Sequence, residues 1–491
     1  MLSGAGVVEA DAVVVGSGPS GAMAALSLLR GGRSVTLLEA GSALPSGVVV
    51  KAAGHPLLRS YGGSLEDERG GFVAGGDPET VWFRALQPGG LSNHWTGAVP
   101  RCSPQDFDNV DGPIEQSWPI SYDDLAPHYE RVERVIGTTG TSEHRSNVPS
   151  GSVRHRVGLP TGWAQVASAA EAYGHDLLPM PLANGSPWMA ARRGTEFNSW
   201  SSLKTEAGAH SNLTTVLGAR ATRLIWDGAQ GRVTAVEYHD AGSNTIRRLA
   251  AQTVVVAAGA INSIRLLLNS TSADFPDGLG NTHDVLGRYL HDHPRDWWVL
   301  ETETSLPLPA HPIYMSRRSP AVGPDELPCS WTIGLASPRQ RPKAMLGRSG
   351  TRFGVQVFGT MPPDPDNRVS ITPDSRAETQ ITMRYDDATG AAMQQARTRF
   401  LDVLERGGIA ARVATSALPA LRPGESVHYG GGVRMHDDPR YGMVDRSCRL
   451  HAAPNVHVVD SSVFTTCSEK NPTLTAMAIA SHAMESLITD T

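Results

Sequence analysis

Cysteine is scarce in this chain. Its 491 residues hold four, Cys102, Cys329, Cys448 and Cys467, scattered and without a CxxC pair. No metal-ligand spacing appears, and free thiols in a reducing compartment are the expected reading, with a disulfide as the alternative. No uninterrupted apolar run of about twenty residues occurs, so no membrane span is expected. Neither sign of charge is in large excess. With 43 Lys and Arg against 49 Asp and Glu, the net charge of −6 gives no reason to expect nucleic acid or an anionic membrane as partner. The opening Met1-Leu-Ser-Gly-Ala-Gly lacks a basic segment and a long apolar core. No secretory signal is expected, and a cytoplasmic location follows from that reading. Internal repeats and long low-complexity segments are missing too, and no Gly-x-Ser-x-Gly falls at hydrolase spacing.

What is present begins almost at once. Asp11-Ala-Val-Val-Val-Gly16-Ser-Gly18-Pro-Ser-Gly21 leads into a helical run and then Val35-Thr-Leu-Leu-Glu39. The apolar run Ala12–Val15 reads as a buried parallel strand. Gly16 permits a tight turn, Gly18 lets backbone approach a pyrophosphate, and Gly21 lets helix and strand pack closely. A helix from Pro19 would aim free N–H groups and its positive dipole end at phosphates. Glu39, 18 residues after Gly21, ends the second strand, where a carboxylate can take ribose hydroxyls. That acid favours FAD or NAD over a 2′-phosphorylated nucleotide.

The length suggests two to three structural units. Residues 43–80 read as irregular Gly/Ser-rich loop, and Tyr122–Val135, preceded by Ser121, reads as an amphipathic helix. Strands are expected at Leu213–Leu217, Ala221–Ile225 and Arg232–Tyr238. Then comes the wholly apolar Thr253-Val-Val-Val-Ala-Ala258-Gly259, whose small ending lets backbone pass close to a ligand, and a helix over Asn262–Leu268. Residues 296–425 are rich in proline and mixed in polarity, with strand-like Phe353–Phe358 and Arg368–Thr372. A strand at Val456–Asp460 and a helix over about Thr473–Leu487 close the chain.

Three separated segments belong together: Pro88-Gly-Gly90-Leu-Ser92-Asn93-His94-Trp-Thr96, Val427-His428-Tyr-Gly-Gly-Gly-Val-Arg434-Met435, and Val459-Asp460 through Asn471-Pro472-Thr473. With the N-terminal loop they resemble the glucose–methanol–choline (GMC) family of flavin oxidoreductases over nearly the whole chain. The segment around His94 is most similar to the pyranose oxidase and bacterial glycoside oxidase branch. Gly278-Leu-Gly-Asn281 to His291-Asp-His293-Pro294 is similar to members that oxidise sugars.

The resemblance implies an α/β fold: a Rossmann-type FAD-binding domain with an inserted α+β substrate-binding domain built on an antiparallel sheet. Residues 8–110, 198–295 and 426–491 would form the first, 111–197 and 296–425 the second. FAD is the implied cofactor, held by Gly16, Gly18, Gly21, Glu39, Gly90, Ser92, Asn93, His94, Thr96, Ala258, Gly259, Asp460, Pro472 and Thr473. In the pyranose oxidase branch the motif histidine is bonded to the flavin 8α-methyl and the threonine lies near N5. Other relatives bind FAD without a bond, so both states stay open for His94. Asp460 would meet the ribityl or pyrophosphate region, or else cap a helix.

Alcohol oxidation must remove a proton from oxygen and a hydride from carbon. Imidazole, with an ordinary pKa near 6.5, suits the proton. His428 is the expected base and Asn471 the group that holds the substrate oxygen, the His–Asn form of the family's pair. The glycines after His428 are expected to give substrate room. A secondary hydroxyl of a sugar or glycoside, oxidised to a ketone, is the expected substrate, with O2 or a quinone-type molecule as electron acceptor. An alcohol or sterol oxidase or dehydrogenase, a non-redox flavin-dependent lyase and a non-catalytic flavoprotein are the rivals. Arg434-Met435-His436 and Phe464-Thr465 depart from the family's usual Arg-Met-Gly and Phe-Pro, which touches specificity. His291 and His293 have a spacing that could ligate metal from a strand, but lack a third ligand, and no metal is expected. Trp297-Trp298 could stack on sugar, although core is the better reading. The oligomeric state is not legible.

Overall fold

The computed structural model describes residues 10–42, 72–75, 80–108, 116–183, 197–207, 210–303, 306, 311–317, 327–334, 350–371, 379–416 and 421–489. Most of the 43–80 loop expectation lies outside them.

Strand β1, Ala12–Val15, is the axis of a six-stranded sheet. It pairs in parallel with β2, Val35–Glu39, on one side and with Thr253–Val256 on the other. Leu213–Leu217 extends the sheet beyond β2, and Ala453–Val458 extends it beyond Thr253–Val256. All-apolar strands suit this position because both faces are covered. Helix α1, Pro19–Arg30, connects β1 to β2 as a parallel crossover requires. The closing helix Thr473–Thr489 packs against α1 and against Tyr122–Ile136. The latter starts from a reciprocal Ser121/Asp124 cap and puts Leu125, Tyr129, Val132 and Ile136 into this first core. Ala219–Asp227, Arg232–Asp240 and Thr245–Ala250 form a separate antiparallel three-stranded sheet.

A second six-stranded sheet is antiparallel throughout, in the order Ala411–Ser416, Arg295–Thr302, Arg352–Gly359, Cys329–Ile333, Ile313–Arg317 and His175–Pro179. Asp387–Arg406 and Ala164–Ala172 cover one face of it. Phe400 of the long helix meets Trp298 and Trp331 there, so Trp298 is core, as its better reading had it. The fold is thus α/β, with a parallel nucleotide-type sheet joined to an antiparallel one.

The four cysteines are free thiols. Among the described residues no helix is long and apolar enough to cross a membrane, and no group of three or more His, Cys, Asp or Glu is placed to hold a metal ion.

Candidate active site

The turn after β1 is glycine for two different reasons. Gly16 has φ +99°, and a Cβ there would stand 2.5 Å from the Ala257 carbonyl oxygen. Gly21 has no room because Gly16 lies against it. Gly18, the N-cap of α1, differs: a Cβ there would meet nothing within 4 Å among the described residues. Open space therefore lies over the N-terminus of a 12-residue helix, whose unpaired N–H groups favour an anion.

Glu39 closes this cradle from beneath. Its Oε2 accepts from Ser17 N (3.1 Å) and Ser17 Oγ (2.5 Å), and its Oε1 accepts from Gly41 N (2.7 Å). Burial pushes its carboxyl above the usual range, against the pull of those donors. These donors fix the carboxylate at the end of β2, against the turn that carries Ser17.

The segment at Gly89–Thr96 comes to the same place. A Cβ on Gly90, whose φ is +52°, would lie 3.3 Å from the Gly18 Cα. Ser92 and Asn93 face inward and hold the segment rather than open space. Ser92 Oγ donates to the Gly89 carbonyl (2.6 Å) and shares a bond with Ser199 Oγ (3.1 Å). Asn93 donates to Pro88 O and Gly90 O and accepts from Asn198 Nδ2. Ser199 in turn donates to Ser17 O, tying the segment to the cradle. His94 and Thr96, just past this turn, are exposed.

Across the sheet, Gly259 (φ +86°) caps the helix Ala260–Asn269, and a Cβ there would also meet nothing within 4 Å among the described residues. Asp460 holds that turn. Its Oδ2 accepts from Gly259 N (2.9 Å) and Ser263 Oγ (2.5 Å), while Oδ1 accepts from Ser462 N (3.0 Å) and Ser462 Oγ (2.6 Å). Four protein donors reach the carboxylate, and Asp460 caps the short turn Ser461–Val463. Ala258 sits beside Gly259, its N–H bonded to Ser263 Oγ.

His428 and Asn471, 43 residues apart, meet: His428 Nε2 lies 3.2 Å from Asn471 Nδ2. The other ring nitrogen, Nδ1, lies 3.0 Å from His293 Nδ1. Phe358 packs on the His428 ring at 4.9 Å between centroids. Burial, and then the charge of Arg295, push its pKa down to about 3, so the imidazole is neutral at working pH. Asn471 is buried, and its Oδ1 accepts no hydrogen bond among the described residues. An unpaired buried acceptor costs stability and is met where a ligand is to supply the donor.

Sequence reasoning missed what supports this pair. Asp292, fully buried, accepts from the His428 backbone N–H through Oδ1 at 2.7 Å and from Ser426. It fixes Val427 at φ +61°, a left-handed conformation that a β-branched residue rarely adopts. His291-x-His293 was visible as a motif, but its geometry is that of a neighbour to His428, not a metal clamp. The glycines after His428 also need correction. A Cβ on Gly431 would stand 2.2 Å from Tyr289 O and one on Gly432 2.3 Å from Ile264, so they admit neighbouring protein rather than substrate. Beside Asn471, the buried ammonium of Lys470 pairs with Glu469 (2.7 Å) and Asp106 (2.9 Å).

His428, His293 and His291 line a cavity with Trp118, Lys470 and Pro472. It holds about 390 Å³ of empty space, part of it open to solvent. Thr473 opens the closing helix directly behind. Open cradles over Gly18 and Gly259, a buried acid under the first and an unpaired amide oxygen at the far end fit a dinucleotide flavin such as FAD.

Comparison with known proteins agrees. The N- and C-terminal GMC oxidoreductase family models match residues 98–295 and 363–480. Paromamine 6′-oxidase of Streptomyces fradiae is 29% identical, the alignment covering 97% of this chain and 90% of the relative. C-glycoside 3-oxidase of Microbacterium trichothecenolyticum is 26% identical, covering 96% and 95%. A crystal structure of pyridoxine 4-oxidase from Mesorbium loti superimposes with a TM-score of 0.64 at 20% identity, covering 97% of this chain and 98% of that one, a likeness of fold. The chain belongs to the GMC oxidoreductase family and is an FAD-dependent oxidoreductase acting on alcohols.

Proposed function

We propose that this enzyme oxidises a hydroxyl of a sugar or glycoside, with His428 as the base and Asn471 as the group that holds the reacting oxygen. The observation that carries this reading is the meeting of His428 Nε2 and Asn471 Nδ2 at 3.2 Å beside an amide oxygen that has no partner among the described residues. A substrate hydroxyl set between them gives its proton to Nε2 while Asn471 steadies the oxygen. Gly16, Gly18, Gly21, Glu39, Gly90 and Gly259 would hold FAD, with Asp460, Ser92 and Asn93 shaping the turns around it and Pro472 and Thr473 closing the far end. The bound flavin supplies the acceptor for the hydride that leaves the carbon.

The substrate class is supported by the relatives named paromamine 6′-oxidase and C-glycoside 3-oxidase. They differ in the position oxidised, 6′ in one and 3 in the other, so the product decides between aldehyde and ketone. His94 is left with two states, and acid precipitation separates them: a yellow pellet means a bonded flavin, a yellow supernatant a free one.

The test is anaerobic flavin reduction by glucose, phenyl glucoside, a methyl glycoside of an amino sugar and 1,2-propanediol. Bleaching by a sugar or glycoside supports the reading. Bleaching by the diol alone, or turnover without bleaching as in a lyase, overturns it. Adding air or a soluble quinone to the reduced enzyme then identifies the acceptor.

A further inference from the structure

His428 can serve as a base at Nε2 only if its single proton sits on Nδ1, and the structure contains a device that decides this. Both rings are neutral: His428 for the reasons above, and His293 because burial and then its two histidine neighbours hold it well below the ordinary value. A neutral imidazole carries one N–H. The facing Nδ1 atoms, 3.0 Å apart, must therefore share one proton between them.

Two arrangements exist, and the surroundings tell them apart. If His293 kept its proton on Nδ1, His428 would carry its own on Nε2, pointing at the Asn471 amide nitrogen 3.2 Å away, donor against donor. Turning the Asn471 amide over would relieve that clash. In the amide as it stands, Nδ2 faces Nε2, so Nε2 is the acceptor and His428 carries its proton on Nδ1. His293 Nδ1, 3.0 Å away, is then the lone pair that receives it. The backbone of Ser468 favours an N–H on His293 as well, which accords with a proton on its other nitrogen.

We propose that His293 is a positioning residue that fixes the tautomer of His428, with the proton on Nδ1 and the lone pair on Nε2 toward Asn471 and the substrate hydroxyl. Donation runs from His428 Nδ1–H to His293 Nδ1, across 3.0 Å. Edge-to-face contact of the two rings at 4.8 Å and of His293 with Phe358 at 5.7 Å leaves His293 little freedom to turn.

This inference rests on His428 being the base, and the experiment keeps the two apart. Flavin-loaded protein labelled with [15N]histidine is read by NMR, the His428→Gln protein identifying the resonances. A proton on His428 Nδ1 supports the proposal, and a proton on Nε2 overturns it whether or not any variant folds. His293→Asn, whose amide oxygen can replace the Nδ1 acceptor, is expected to keep the tautomer and most of kcat. His293→Leu is expected to lose roughly 10²-fold in kcat at unchanged flavin content, within the range of general base catalysis. Full activity in His293→Leu, with His428→Ala inactive, overturns the positioning role alone. Full activity in His428→Ala overturns the underlying reading instead.

Discussion

A Cβ added to Gly21 would lie 2.0 Å from the carbonyl oxygen of Gly16, closer than any real contact of that kind. Gly18, between them, would carry the same atom into open space. Packing alone requires glycine at two positions of one motif, and the third leaves its space open.

That difference predicts a split phenotype. Gly21→Ala should destabilise the protein by about 3 kcal/mol, because backbone on both sides must shift. Gly18→Ala, in extended backbone at φ −60° and ψ 178°, should unfold as the parent does when both are stripped of flavin, yet retain less of it on purification. Urea midpoints and flavin-to-protein absorbance ratios measure the two effects. Equal flavin content in Gly18→Ala would contradict the cradle.

Asp292 holds the backbone of His428, and its removal should be felt in catalysis. Asp292→Ala frees the Ser426 and His428 N–H groups and lets Val427 leave a conformation that costs about 1–2 kcal/mol. A shift of the imidazole by about 1 Å would lower kcat by roughly 10²-fold. The check is kcat at matched flavin occupancy, and an unchanged value counts against the role.

Lys470 has its ammonium wholly buried between two carboxylates. Burial opposes its charge, but Asp106 and Glu469 outweigh that and raise its pKa. Lys470→Met removes the only cation of the trio and should cost about 3 kcal/mol, since the buried Glu469 and the half-buried Asp106 are left without it. Chemical denaturation of the variant tests this, and a loss below about 1 kcal/mol would mean that water reaches the cluster.

Stability should fall on mild acidification. Burial lowers His128 and His291 to about 4 and His428 to about 3, and it also lowers His293, His311 and His482. The unfolded chain takes up these protons from about pH 6.5 downward while the folded one does not, so each histidine removes up to about 1.4 kcal/mol per pH unit. Asp292, raised to about 6 by burial, works the other way between about pH 6 and 4, and the raised Glu39 and Asp460 act in the same sense. Six histidines against three carboxylates leave a net loss, read as a lower Tm at pH 5 than at pH 7. A Tm that rises over that interval would refute the balance.

The parallel sheet was legible because its strands are continuous apolar runs bounded by glycine, and those signals are local. Ser121 with Asp124 announced its helix for the same reason. What escaped was whatever depends on long-range meeting. Nothing in Asp292 or Ser199 by itself reveals that one holds His428 and the other ties Ser92 to Ser17. The glycines after His428 misled because a run of small residues signals close approach without naming what approaches. Asp460 carried two readings in sequence, and its four donors appear only once Gly259, Ser263 and Ser462 are brought together.

The central strand has one neighbour supplied immediately and another drawn from Thr253–Val256, which itself leans on Ala453–Val458. A nascent chain leaving the ribosome cannot finish this sheet until nearly all of it has been made. Folding should therefore be slow, and the apolar face of β1 must wait in the open, which makes help from chaperones during synthesis a practical need for anyone expressing the protein.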